Sequence, residues 1–402
     1  PLFIHNHPTF PLLEILENGR DENVPLVPAK FGAYFALYSS SSLPVSFPRF
    51  AVIPDKEIET LRRVDFVEYQ GVGVDDAITE KNYMVKANAF DGQGLISPQL
   101  AKQWSDELQM DYTFSSAIIR APFLKGLVVT FDFHQFAKEI AKTNIFTDIY
   151  GNEQNINDVN LIISESMFKL WSSYVNTKSY INTCEENGLG FSIAKVNAKK
   201  ERSYSRTSYQ FLQVLNLDAR DIANLCEPTL NWFRNISGES AEAMLLYSTG
   251  EGNFDPQKDY EKMDVTSKAL MLNPSLSRDK YIQERFIRSL QKKEKETFMG
   301  SLLINANYQT MISDPYYQAC HMFKLDTEPL LKDGEHFSEY WLNLGVTKVG
   351  AIRSPIVHHS EFNVLNFQNR EDIRKWYQHI HSGIIYPAFG IGIDAMIHSG
   401  SD

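Results

Sequence analysis

The sequence is poor in cysteine, has no long apolar run and lacks the common catalytic signatures. Only three cysteines occur in 402 residues, Cys184, Cys226 and Cys320, and they are far apart. No Cys-x-x-Cys pair is present, which speaks against a structural zinc site built on thiolates. A sparse, odd count fits a reducing compartment. No apolar stretch reaches the roughly 18 residues a spanning helix needs, so no membrane segment is expected. Residues 1–10 show no basic stretch followed by an apolar one, and no secretory signal is read in them. Low-complexity sequence is limited to the serine run at 39–42, and no internal repeat is found. A Gly-x-x-x-x-Gly-Lys-Ser/Thr loop, a Gly-x-Ser-x-Gly elbow and a His-Glu-x-x-His motif are all missing, which removes three familiar catalytic classes.

What is present is the composition of a folded protein, 43% apolar and 22% charged. The length suggests two or three domains with a large core. Thirty-nine Lys and Arg stand against 50 Asp and Glu, giving a net charge of −11. That balance argues against coating nucleic acid indiscriminately. It leaves room for a local basic channel, because affinity for phosphate follows where the charges are placed. The chain opens at Pro1 without a methionine and stops at Asp402 directly after His-Ser-Gly-Ser. It is expected to be a piece of a longer polypeptide.

Residues 1–45 mix Pro, Gly and Ser with short apolar runs, and no fold is assigned to them. From 46 the texture is β-rich, with strands predicted at 50–53, 65–69, 116–120 and 127–131 and a loop over 121–126. Ser97 followed by Pro98 predicts a helix start. From about 150 to 335 the pattern turns helical. One helix is predicted over 164–176 and a longer one over 277–299, capped by Ser277, with Tyr281, Phe286, Ile287 and Leu290 in its apolar stripe. Its remaining surface is basic and includes Arg285, Arg288 and Lys292. This face reads either as solvated or as a nucleic-acid contact. From about 345 strands return, at 347–352, 362–365 and 383–386, with a helix over 371–382 between the last two.

Three clusters could carry chemistry. Asp91-Gly-Gln-Gly94 is a tight turn that brings backbone close to something, or a plain turn. Ile118-Ile-Arg120-Ala-Pro-Phe-Leu-Lys125-Gly126 puts two cations around a loop between apolar strands, either facing phosphate or solvated. Arg353-Ser-Pro355-Ile-Val-His358-His359 is an ordered turn leaving a strand, with Arg353 a fork donor suited to sugar hydroxyls or phosphate. Adjacent histidines on an extended chain point to opposite sides, so His358 and His359 do not make a metal site by themselves. The pairs Asp75-Asp76 and Glu185-Glu186 lie in polar context and read as surface.

In this order the clusters resemble the double-psi β-barrels of multi-barrel RNA polymerases. Phe90-Asp-Gly-Gln-Gly-Leu-Ile-Ser-Pro98 is similar to the Asp-Gly-x-Gly-x-Ile-Ser block of RNA-silencing RNA-dependent RNA polymerases. Arg120 to Lys125-Gly126 resembles their Arg-x(4)-Lys-Gly loop. Arg353-Ser-Pro355-Ile-Val-His358 has the Arg-x-Pro-x-x-His spacing of the second barrel, shared with the largest subunit of cellular RNA polymerases. The stretch from Gly383 to Asp402 resembles the approach to an Asp-x-Asp-Gly-Asp catalytic loop. Single-chain two-barrel polymerases of phages, including the crAss-like group, match best. The motifs cover about 90–126 and about 350–402. Tyr308 and Ser313-Asp-Pro315 are further features of the phage pattern.

The resemblance implies an α+β fold: two double-psi β-barrel units joined by a long helical connector, the second barrel incomplete at the C-terminus. The implied divisions are 1–45, a lysine barrel at 46–150, a connector at 151–335 and the start of the second barrel at 336–402. It implies DNA-templated RNA synthesis, with an RNA-templated polymerase and a non-catalytic barrel scaffold as alternatives. Mg²⁺ is the implied cofactor, with Asp402 as a metal ligand. Lys125 would face it across a cleft and neutralise phosphate charge, with Arg120 in support. Arg353 would contact the nucleotide ribose and His358 would orient its loop. DNA template, RNA product, nucleoside triphosphates and the rest of the same polypeptide are the implied partners. The implied location is the host cytoplasm, or the virion if packaged. A metal loop needs at least two carboxylates, and only Asp402 is present, so these 402 residues alone are expected to be inactive.

Overall fold

A computed structural model describes residues 15–25, 27–38, 40–75, 77–238, 240–249, 260, 263–353, 356 and 362–388. The chain divides into two compact units. The first takes Pro1–Lys199, Gln309–Val349 and Leu365–Asp402, and the second Lys200–Tyr308 and Gly350–Val364. Both helices and strands are present, so the fold is a mixed one.

The first unit begins with helix α1 (Pro28–Tyr38). Its strands follow as β1 (Leu43–Pro44), β2 (Phe50–Ile53), β3 (Glu57–Glu68), β4 (Ala77–Asn88), β5 (Gln93–Ile96), β6 (Ser116–Ala121), β7 (Leu124–Thr130), β8 (Ile145–Thr147), β9 (Glu153–Asn155), β10 (Leu161–Ser164) and β11 (Ser192–Val196). Seven of them form one sheet in the order β1-β11-β6-β7-β5-β10-β2. β2 with β10 and β5 with β7 run parallel, and the other neighbours antiparallel. β3 and β4 make a separate two-stranded ribbon. β2 and β10 are buried at every residue, which explains why they are apolar throughout except for Ser164: a strand covered on both faces has no polar side.

Helix α2 (Pro98–Glu107) starts where the sequence predicts. Pro98 takes its first position, and the Ser97 hydroxyl accepts the Leu100 N–H at 3.2 Å. It buries Leu100 and Trp104 against Ile96, Phe114, Ile119, Val128 and Leu161. Helix α3 (Thr177–Glu186) adds Tyr180 and Cys184 to the same core.

The sheet extends past residue 150. β10 lies between β5 and β2, and β11 lies beside β6, so the stretch assigned to a helical connector starts as sheet. In place of the helix predicted over 164–176 stand the end of β10 and two single turns, Glu165–Met167 and Trp171–Ser173. Periodicity does not separate a short, fully buried strand from a helix segment, and here strand neighbours on both sides decide the outcome.

The second unit is mainly helical: α4 (Tyr209–Val214), α5 (Ala219–Ile236), α6 (Ala241–Thr249), α7 (Val265–Leu272) and α8 (Lys280–Phe298), with two short paired strands, β12 (Ser205–Arg206) and β13 (Leu303–Ile304). Ala241, Met244, Leu270 and Phe286 form its small core. Asp279, not Ser277, caps α8, accepting the Ile282 N–H at 3.1 Å. Ser277 is taken up by a separate turn, Pro274–Arg278, which Asn273 caps and Pro274 starts.

Beyond it, the chain adds β14 (Met311–Ser313), α9 (Pro315–Met322), β15 (Glu335–His336), α10 (Glu339–Asn343), β16 (Lys348–Ala351), β17 (Asn363–Phe367), α11 (Glu371–Trp376) and β18 (Ile384–Tyr386). β14 pairs with β18 and β15 with β17, both parallel. The helix predicted over 371–382 ends at Trp376, where Trp376, Tyr377 and Ile380 all turn into the core.

Candidate active site

The predicted loop at 121–126 is a tight hairpin. β6 and β7 pair through Ala121↔Leu124, leaving Pro122 and Phe123 as the turn, so Lys125 stands on a strand directly opposite Arg120. Residues opposite each other in an antiparallel pair project from the same face. The turn is held from several sides. Phe123 has φ +56°, a left-handed conformation unusual for a bulky residue, and its ring is buried against Phe31 at 5.8 Å. Tyr180 donates its hydroxyl to the Pro122 carbonyl at 2.9 Å, and the Lys169 N–H bonds the Phe123 carbonyl at 3.1 Å. Arg120 is half-buried and donates to the Ile119 carbonyl at 2.9 Å, while its Nε is buried without a hydrogen-bond partner. Burial pulls its guanidinium below the ordinary value, yet an arginine stays charged at neutral pH.

The Asp91-Gly-Gln-Gly94 turn braces this hairpin. The Gly92 carbonyl accepts the Leu127 N–H at 2.8 Å. A Cβ on Gly126 would lie 2.4 Å from that carbonyl, and one on Gly94 would lie 2.3 Å from the Ile162 carbonyl. Close backbone approach therefore accounts for glycine at both positions. The Gly92 N–H bonds the Ser166 hydroxyl at 2.9 Å, and that hydroxyl donates to Asp55 at 3.1 Å. Asn88 donates to the other Asp55 oxygen at 2.6 Å. Burial nonetheless pushes the Asp55 carboxyl up to about 6.

Gln93 ties the turn to Ser313-Asp-Pro315. Its side chain donates to the Ser313 carbonyl at 2.9 Å and to Gln318 at 3.1 Å, and it accepts the Ser313 N–H at 2.8 Å. Gln318 in turn donates to the Gln93 carbonyl at 2.9 Å. Both side chains are buried. Asp314 caps α9 and accepts the Tyr377 hydroxyl at 2.8 Å. Full burial raises its carboxyl to about 6 against these hydrogen bonds.

Arg353 belongs to the second unit and is exposed. His358 and Asp402 lie outside the described residues. Arg285 donates to the Thr266 hydroxyl at 3.2 Å, Arg288 pairs with Glu284 at 3.0 Å, and Lys292 is exposed, all on α8. Burial pushes the Cys184 and Cys320 thiols up to about 11, which makes both poor nucleophiles. Among the described residues no group of three or more His, Cys, Asp or Glu could hold a metal ion, so they offer no fit for Mg²⁺. Two clefts of the first unit, of ≈ 600 and ≈ 830 Å³, are lined by neither Arg120 nor Lys125. No described helix is long and apolar enough to cross a membrane.

No family model matches the chain. The DNA-directed RNA polymerase YonO of Bacillus phage SPbeta is 25% identical over 358 residues, which is 87% of this chain and 39% of that protein. Among solved structures, the RNA dependent RNA polymerase QDE-1 from Thielavia terrestris matches 97% of this chain and 38% of its own, with a TM-score of 0.53 and 14% identity. The chain is thus similar in sequence to the phage RNA polymerase and in fold to QDE-1. It spans about two-fifths of their length. The phage relative is the kind of protein the ordered motifs implied, and QDE-1 shares the mixed helix-and-strand fold.

Sequence reasoning missed Gln93 with Gln318 and Asp55 with Ser166. The bonded pairs Gln93–Gln318 and Asp55–Ser166 are 225 and 111 residues apart, and no local pattern marks them. The only available signal was Gln93 lying between two glycines.

Proposed function

We propose that this chain is the part of a DNA-templated RNA polymerase that supplies the cationic frame of the nucleotidyl-transfer site and begins its second barrel. The observation that supports it is the Arg120–Lys125 pair, two cations opposite one another on a clamped hairpin, in a chain similar in sequence to a phage RNA polymerase. The reaction is an in-line attack of an RNA 3′-hydroxyl on the α-phosphate of a nucleoside triphosphate, with pyrophosphate leaving. Most of its catalysis is positioning and charge stabilisation, which requires cations that do not move when phosphate charge develops. Lys125 neutralises that charge and Arg120 supports it through its N–H groups not bonded to Ile119. Arg353 contacts the nucleotide ribose and His358 orients its loop. Mg²⁺ belongs to this reading only through Asp402. The seven-stranded sheet is read as the lysine-bearing double-psi barrel, and β14 to β18 as the start of the second.

An RNA template is the second reading, favoured by the likeness to QDE-1; the phage relative favours DNA. The test is primer extension by the polypeptide as the cell makes it, on DNA and RNA templates of one sequence. Incorporation on DNA supports the first reading, and incorporation on RNA alone supports the second. A folded protein that incorporates on neither overturns both and leaves the barrel as a scaffold.

A further inference from the structure

The second unit carries an exposed aromatic and basic surface that the hairpin site does not use. Pairing of β12 with β13, through Ser205↔Ile304 and Arg206↔Leu303, sets the preceding segment 200–204 beside 305–308. Asn307 donates to the Arg202 carbonyl at 3.2 Å, and the Tyr308 hydroxyl donates to the Arg206 carbonyl at 3.3 Å. Tyr308 is thus tethered at its hydroxyl and still 79% exposed, and Tyr204, two residues before Arg206, is 41% exposed. A single exposed tyrosine is ordinary. Two on adjoining backbone, with one ring tied down at its far end, form a prepared face.

The backing of this face is stiff. The Arg206 guanidinium lies over the Trp232 ring at 4.7 Å and donates to the Ser301 carbonyl at 3.2 Å. The Thr207 hydroxyl donates to the Gly300 carbonyl at 2.7 Å and accepts the Leu302 N–H at 2.9 Å. Cations line the same place. Lys200 and Arg202 are exposed on the segment that carries Tyr204. The Arg206 and Thr207 bonds to Ser301 and Gly300, just past Phe298, place the C-terminal end of α8 next to β12, and Lys292 is exposed on that helix. Lys and Arg balance Asp and Glu in this unit, so the chain's acidic excess lies wholly in the other.

We propose that Tyr204 and Tyr308, with Lys200, Arg202 and Lys292, bind single-stranded nucleic acid by stacking unpaired bases and neutralising the backbone that joins them. A π-face accepts any base, and neighbouring cations hold the phosphates, which is the combination that binds single strands without sequence preference. A duplex hides its base faces and is the poorer ligand. The proposal rests on the polymerase reading for why such a strand is present.

The test needs no turnover, so a failed incorporation assay leaves it intact and its own failure leaves incorporation intact. Binding of labelled oligo-dT and oligo-U to the 402-residue chain is followed by anisotropy at low and physiological salt, with a duplex of equal length alongside. Tyr308→Ala is expected to weaken single-strand binding about tenfold or more, Tyr308→Trp to keep it, and Lys200→Ala with Arg202→Ala to flatten the salt dependence. Circular dichroism and melting of each variant are to match the parent. A Tyr204→Ala/Tyr308→Ala double variant that folds normally and binds within twofold of the parent overturns the proposal, as does tighter binding of the duplex.

Discussion

Lys125 and Arg120 stand opposite each other in an antiparallel pair, where like charges destabilise a sheet. The arrangement persists because the turn between them is fixed by other means: Phe123 fills the core, Tyr180 holds the Pro122 carbonyl, and Gly126 allows contact with Gly92. The hairpin's stability therefore does not come from the cations it presents. Lys125→Ala is accordingly expected to lower nucleotide incorporation by roughly 10²–10³-fold, the loss typical of one preorganised charge-stabilising donor. Its unfolding free energy should stay within about 0.5 kcal/mol of the parent. Unchanged incorporation in a folded variant removes Lys125 from the site.

At the scale of elements, the Gln93–Gln318 clasp fixes β5 to β14 and α9. β14 pairs with β18, the strand that leads toward Asp402. One amide pair thus sets the frame behind the lysine hairpin against the strand that precedes the expected metal ligand. Gln93→Leu removes the bonds to the Ser313 backbone and strands the buried Gln318 amide, at about 1–3 kcal/mol for a buried group left unsatisfied. Urea unfolding is expected to show the loss. The Gln93→Leu/Gln318→Leu double variant should cost less than the sum of the singles, because each single already breaks the shared bonds; strict additivity would show that the two do not act together. The difference between these elements also shows what the sequence could reveal. The Ser97–Pro98 start of α2 was legible because a cap and its partner lie three residues apart. Strands β2, β6 and β17 were legible from short apolar or alternating runs. The Lys125 strand read as a loop because its turn, Pro122-Phe123, puts a buried phenylalanine at positive φ, where sequence rules look for glycine or asparagine. The clasp was not legible at all, since nothing local ties residue 93 to residue 318.

At the scale of the whole molecule, the net charge of −11 conceals a division of labour: one unit carries the acidic excess, and the other is balanced and holds the aromatic and basic surface. The acidic unit also holds carboxyls at two junctions, a half-buried Asp55 behind the glycine turn and a fully buried Asp314 at the head of α9. Burial raises both to about 6, above the 3.8 ordinary for an aspartate. A folded-state value above the unfolded one means that the native protein binds the proton more tightly. The resulting stability is complete below about pH 4 and is lost as pH rises through about 6. Asp314→Asn keeps an acceptor for the Tyr316 and Tyr317 N–H groups and for the Tyr377 hydroxyl but cannot ionise. Its melting temperature relative to the parent is therefore expected to climb between pH 4 and pH 7. A difference that stays flat over that range would mean that Asp314 is ionised in the fold at little cost, with its hydrogen bonds from Tyr316, Tyr317 and Tyr377 outweighing its burial.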